Sequence, residues 1–446
     1  MDAEAFQEAP PGGSPHGPGS RGRQDGAEGV AIARGTGARS RRPGQAGTPD
    51  GAAARVTFGD VFASSEFRAL WAAQVLSVAG DQLARVALTI LVFNVTHSAL
   101  LAAVTFAVSI VPTFLGGLLL SGLADRFPRR TVMIACDLAR AALVAVMAVP
   151  GMPLALLVCL LFVVTLIGAP FTSARAALYP DILTGDSYVL GSAVSLTTIQ
   201  FAQVAGFAVG GAAVALIGVG PALLADAATF AASALLIRVL VQARPAAAPD
   251  RPQTRFSDLA GGLRLVFASP ALWWPMLLGW LAAFYNVPEA VAVPLVRTLG
   301  GGDIWVGLIL AATALGSAAG ALLFSRLVTP ARRLRWVTPL AVATCAVLMA
   351  FAFRPPLPAA VGILTVCGLC DCYQVAAYAA FVTASPPAQR GQAFGIAQGG
   401  MTLGQGVMMI IAGAVAERVD PPLVIAASGA LGAIAAIGIA AGHRGR

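Results

Sequence analysis

Apolar residues recur along this chain in long runs separated by short polar breaks. A helix rises 1.5 Å per residue, so roughly 20 apolar residues cross a hydrocarbon core about 30 Å thick. The runs predict helices near 69–93, 99–121, 131–149, 152–172, 192–217, 221–241, 271–294, 304–328, 334–354, 357–383, 394–416 and 421–441. The longest break, 242–270, is polar, carries Pro245, Pro249 and Pro252, and divides the runs evenly. An even division around a central loop suggests a duplicated six-helix unit. The expected fold class is an all-α polytopic membrane protein, with twelve transmembrane helices in two six-helix halves, 58–241 and 271–441. Residues 1–57 hold almost no large apolar side chain. They bury too little surface to offset their ordering entropy and are expected to form a disordered tail.

Composition sharpens this reading. The chain of 446 residues is 57% hydrophobic and 11% charged, with a mean hydropathy of +0.79. Soluble domains carry about 25% charged residues, so a water-soluble globule is excluded. All 29 cationic side chains are Arg. Without Lys there is no P-loop to reach the β- and γ-phosphates, and no Schiff-base chemistry. His16, His97 and His443 are too scattered for a zinc-protease site, and no GxSxG elbow occurs. The run Cys367-Gly-Leu-Cys370-Asp-Cys372 lacks a fourth ligand, so no metal site is expected. These absences point away from an enzyme.

The net charge of +8 does not call for nucleic acid, because the Arg residues fall in alternate loops. Loops after even-numbered runs carry Arg126, Arg129, Arg130, Arg175, Arg238, Arg244, Arg251, Arg255, Arg264, Arg326, Arg332, Arg333, Arg335 and Arg390. Loops after odd-numbered runs carry only Arg297, Arg354 and Arg418. The positive-inside rule then places the tail, the central loop 242–270 and the C-terminal residues 442–446 in the cytoplasm.

Between the second and third runs the chain reads Ser121-Gly-Leu-Ala-Asp125-Arg126-Phe-Pro-Arg129-Arg130. A carboxylate at a helix end followed by three guanidinium groups can act as a conformational latch on neighbouring helix ends. The stretch resembles the signature loop of the major facilitator superfamily at Leu123, Asp125, Arg126, Arg129 and Arg130. Ser121 and Pro128 stand where that signature has glycines. Three further stretches resemble its drug and siderophore exporter branch: Trp71–Asp81, Phe171–Asp181 and Asp226–Phe230. Gly206-Phe-Ala-Val-Gly210-Gly211 is similar to the antiporter motif of that branch, with Phe207 in place of its proline. Gly206, Gly210 and Gly211 also offer a small-residue face for helix packing.

Ionisable residues at mid-membrane cost about 2.5–3.5 kcal/mol on insertion scales and are functional candidates by default. Asp81 and Arg85 are four residues apart and share a helix face, so they are proton-coupling candidates as a paired, charged element that senses occupancy, with a purely structural ion pair as the alternative. Asp371 has no basic residue nearby in sequence and is the carboxyl best placed to take up and return a proton. Glu289 is a further proton-coupling candidate. Asp137 and Arg140 are expected to pair locally, and Asp226 to be structural. Polar stripes add Gln74, Ser77, Gln200, Gln203, Tyr285, Asn286, Gln374, Tyr378, Gln398, Thr402 and Gln405 as cavity candidates.

The resemblance implies a secondary active transporter in a bacterial cell membrane, exporting a drug-like compound, antibiotic or siderophore by alternating access. Its expected partners are the lipid bilayer, protons and a small amphipathic substrate. No cofactor is expected, since a proton gradient supplies the energy, and the chain is expected to be a monomer. An importer of the same fold is the alternative, with a non-transporting membrane sensor or scaffold behind it.

Overall fold

The computed structural model describes residues 57–120, 122–245, 263–264, 266–386 and 389–444. Of the expected tail only Thr57 is included, and residues 246–262 and 265 of the expected central loop lie outside the described residues. A bilayer offers no water to backbone groups, so the chain satisfies them within helices. The long segments, numbered in chain order, are α1 (Ser65–Thr96), α2 (Ala99–Leu120), α3 (Arg129–Met147), α4 (Leu154–Ile182), α5 (Gly185–Ile217) and α6 (Val219–Leu240). In the second half they are α7 (Ala271–Ala290 and Ala292–Thr298), α8 (Asp303–Leu327), α9 (Arg332–Phe353), α10 (Leu357–Ala384), α11 (Arg390–Ala416) and α12 (Pro421–Arg444).

Ten described helices are long and apolar enough to cross a membrane, and α7 makes an eleventh if its two parts, bent by 46°, are one span. The remaining segment, α3, carries Arg129, Arg130, Asp137 and Arg140, which dilutes its hydropathy. Helices such as α5 start earlier than their apolar runs, because a helix continues through a polar first turn that hydropathy does not register.

Three breaks place backbone and side chains at the centre. In α2 the chain turns at Ser109–Ile110, where Thr113 N–H bonds to Ile110 and leaves the Ser109 carbonyl without its helical donor. Pro288 and Pro294 lack the N–H that a continuous α7 would need. Helix α10 is interrupted at Asp371–Cys372.

The halves meet along two seams, α2 on α11 and α5 on α8. The second seam is backbone against backbone. A Cβ on Gly211 would lie 2.7 Å from both the Cα and the N of Gly307. Neither atom can rotate away, so Gly211→Ala should push α5 from α8. A cysteine placed at Ala99, 5% exposed at the same end, should then react several-fold faster with a membrane-impermeant maleimide, in a background lacking Cys159 and Cys370. An unchanged rate would show that this contact does not hold the end shut.

Candidate functional site

Two adjoining cavities of about 350 and 320 Å³ lie between the helices and share Arg85 and Gln203 in their walls. The larger is built by the N-terminal half around a guanidinium. Arg140 of α3 is 4% exposed, forms a close ion pair with Asp81 of α1, and donates to Ser77 Oγ at 3.2 Å. Its guanidinium also stacks over Phe230 at 4.0 Å from the ring centre. Asp137 Oδ1 is 4.0 Å from Arg140 and has no hydrogen-bond partner, while Oδ2 accepts from the Ser233 hydroxyl. Asp226 completes the cluster, against Thr229 and the bare Cα of Gly80. A Cβ on Gly80 would fall 2.1 Å from Asp226 Oδ1, so glycine is what admits this carboxyl to α1.

This geometry corrects two expectations and bears out a third. Asp81 pairs with Arg140 and not with Arg85, because Arg85 turns to the Ser109 carbonyl freed by the break in α2 (3.1 Å) and lies 5.4 Å from the Phe106 ring centre. The expected local pair of Asp137 with Arg140 is present, as the longer of the two ion pairs that Arg140 makes. Asp226 lines the cavity where a purely structural place was expected.

The smaller cavity joins both halves. Arg85, Gln200, Gln203 and Phe207 face Tyr285, Asn286, Glu289, Ser317, Asp371, Gln374, Met401 and Gln405 across it. Asp371 accepts from the Ser317 hydroxyl at 2.6 Å. Among the described residues, neither Asp371 nor Glu289 has a cation within ion-pair distance. Gln374 Nε2 donates to the Tyr285 hydroxyl at 2.6 Å, clamping α10 to the broken part of α7.

The other candidates lie elsewhere. Gln74 is buried in the wall of the larger cavity, with its carbonyl accepting from Tyr179 at 3.2 Å. Tyr378 is exposed and packs edge-on against Phe394. Gln398 and Thr402 line neither cavity. In the signature loop, the Asp125 side chain lies outside what is described. Arg126 is exposed, Arg129 reaches Ala177 and Asp181, and Arg130 reaches the Arg238 carbonyl. Gly206 and Gly210 pack on α1, with Gly206 facing the Ala79 carbonyl.

The side-chain hydrogen bonds found between the halves lie at one end, beside the α1–α2 and α11–α12 connections. Glu417 accepts from the Ser98 hydroxyl (2.6 Å) and Leu100 N–H (2.8 Å), and Arg297 donates to Asn94 (3.3 Å). The Leu100 and Ser98 donors hold the Glu417 carboxyl below the usual carboxylate range. The tie therefore persists above that range and is lost only as pH falls through the lowered value. Arg140 as the hub and Arg175, which lines the larger cavity beside Tyr179, were not singled out by sequence reasoning. The available signal for Arg140 was a guanidinium in the middle of an apolar run.

A family model described as transmembrane secretion effector matches residues 60–444. The chain is 29% identical over 321 residues to the multidrug efflux pump Tap of Mycobacterium tuberculosis (strain ATCC 25618 / H37Rv), covering 67% of this chain and 74% of that one. A POT family transporter in complex with 5-aminolevulinic acid superposes with a TM-score of 0.70 at 10% identity, over 87% of this chain and 97% of the other. A bacterial homologue of the human lysosomal transporter Spinster, inward-facing and occupied, gives a TM-score of 0.61 at 15% identity, over 84% and 95%. Both share the fold.

Proposed function

We propose a function on one premise: the chain belongs to the transmembrane secretion effector family, within the major facilitator superfamily. It is thus a multi-pass membrane transporter and not an enzyme. Our reading is proton-coupled efflux of a drug-like compound from a bacterial cell, across the plasma membrane, with both termini cytoplasmic. The similarity to a multidrug efflux pump supports the direction of transport. The observation that carries the coupling is Asp371, a carboxyl without a described counter-ion, facing a cavity shared by both halves.

A carboxyl so placed is costly as an anion and neutral once protonated, so its protonation state changes the energy of opening the cavity to either side. With no P-loop Lys, work must come from an ion gradient, worth about 2.3 kcal/mol per charge per 100 mV. The ties at Ser98, Leu100 and Asn94 close the outer end, which leaves the cavity for loading from the cytoplasm. Signature-loop Arg129 and Arg130 brace α4 and α6, as a latch would. Expression in a bacterial host stripped of its own efflux pumps should raise resistance to at least one compound of a broad panel and lower its accumulation in the cell. Resistance that persists when the proton gradient is collapsed would contradict this function.

A further inference from the structure

The two walls of the 320 Å³ cavity carry opposite, unbalanced charge. From the N-terminal half the one charged side chain is Arg85. It gives a single N–H to the Ser109 carbonyl, its buried Nε has no partner, and no described carboxylate is within ion-pair distance. Arg140, by contrast, is matched by Asp81. From the C-terminal half come Glu289 and Asp371; neither is in an ion pair with a described cation, and only Glu289 is near enough to Arg85 to feel its charge across the cavity. A ligand with a single charge leaves one wall poorly answered: a cation leaves Arg85 with the Ser109 carbonyl and the more distant Glu289, and an anion on Arg85 leaves Asp371 with no counter-charge. Stranded charge in a confined site is penalised, whereas a charge-assisted hydrogen bond on each side is favourable. The volume suits a drug-sized molecule.

We propose that the cavity selects amphoteric compounds, with an acidic group held by Arg85 and an amine by Asp371 and Glu289, the apolar body lying against Phe207 and Met401. This names the substrate class and rests on the transport reading given above. It makes Arg85 a specificity residue, where its place beside Asp81 in sequence had suggested a part in proton coupling.

Binding tests it apart from transport. The full-length protein in lipid nanodiscs is titrated with three fluorescent probes of one skeleton: Nα-dansyl-lysine, its methyl ester, which keeps only the amine, and Nα-dansyl-norleucine, which keeps only the carboxylate. The doubly charged probe should bind about tenfold tighter than either relative. Arg85→Gln should bring it to the affinity of the methyl ester, and unchanged binding of that ester would report an intact fold. Asp371→Asn should bring it to the affinity of the norleucine probe. Nα-dansyl-lysine binding no tighter than its relatives, or a preference that survives Arg85→Gln, overturns the proposal, while proton-driven export of the methyl ester would leave the transport reading standing.

Discussion

Asp371→Asn should abolish accumulation of substrate against its gradient in proteoliposomes energised by a pH difference. The amide keeps the shape of the side chain and its contact with Ser317 (2.6 Å), so folding and cavity volume should hold. What is lost is the capacity to carry a proton through the cycle. At saturating substrate, downhill movement should persist, because conformational exchange no longer waits on protonation. Loss of uphill transport with retained downhill flux is the mark of a coupling group, whereas a packing defect lowers both. If the variant still concentrates substrate, Glu289, which lines the same cavity, becomes the proton carrier.

Arg140→Gln should cause the largest loss of stability of any single cavity substitution. Removing one partner of a buried ion pair costs about 3–5 kcal/mol, because the other charge is left stranded. Here the stranded groups would be Asp81, the completely buried Asp137 and Asp226, and the contact with Phe230 would go as well. The unfolding temperature in detergent should fall clearly. The double variant Arg140→Gln with Asp81→Asn should be more stable than Arg140→Gln alone, since it removes a stranded charge. A double variant no better than the single one would mean that Asp81 and Arg140 are not energetically coupled.

The long helices were legible because hydropathy, length and Arg placement act along the chain, one segment at a time. The partners of charged side chains were not, because they are settled between segments. Asp81 and Arg85 share a face at the right spacing, yet a carbonyl freed by the break in α2 draws Arg85 away and α3 supplies Arg140. Hydropathy does not register that break, although Pro112 signals it: proline has no N–H to give the Val108 carbonyl. Gly80, read beside Asp81 as part of a motif, has its physical meaning only opposite Asp226. The stripes on α1, α5 and α7 reach the cavities, whereas Tyr378, Gln398 and Thr402 do not line them. Those three sit on α10 and α11, where helical spacing alone left the rotation of each helix about its axis undetermined.

The central claim is that substrate and protons move in opposite directions through one cavity. The most direct measurement loads proteoliposomes with a compound found by the resistance panel and a trapped pH dye, with no pH difference imposed. As substrate leaves down its gradient, the lumen should acidify in the wild type and stay unchanged with Asp371→Asn. Substrate release without any pH change, or with alkalinisation of the lumen, would contradict the account.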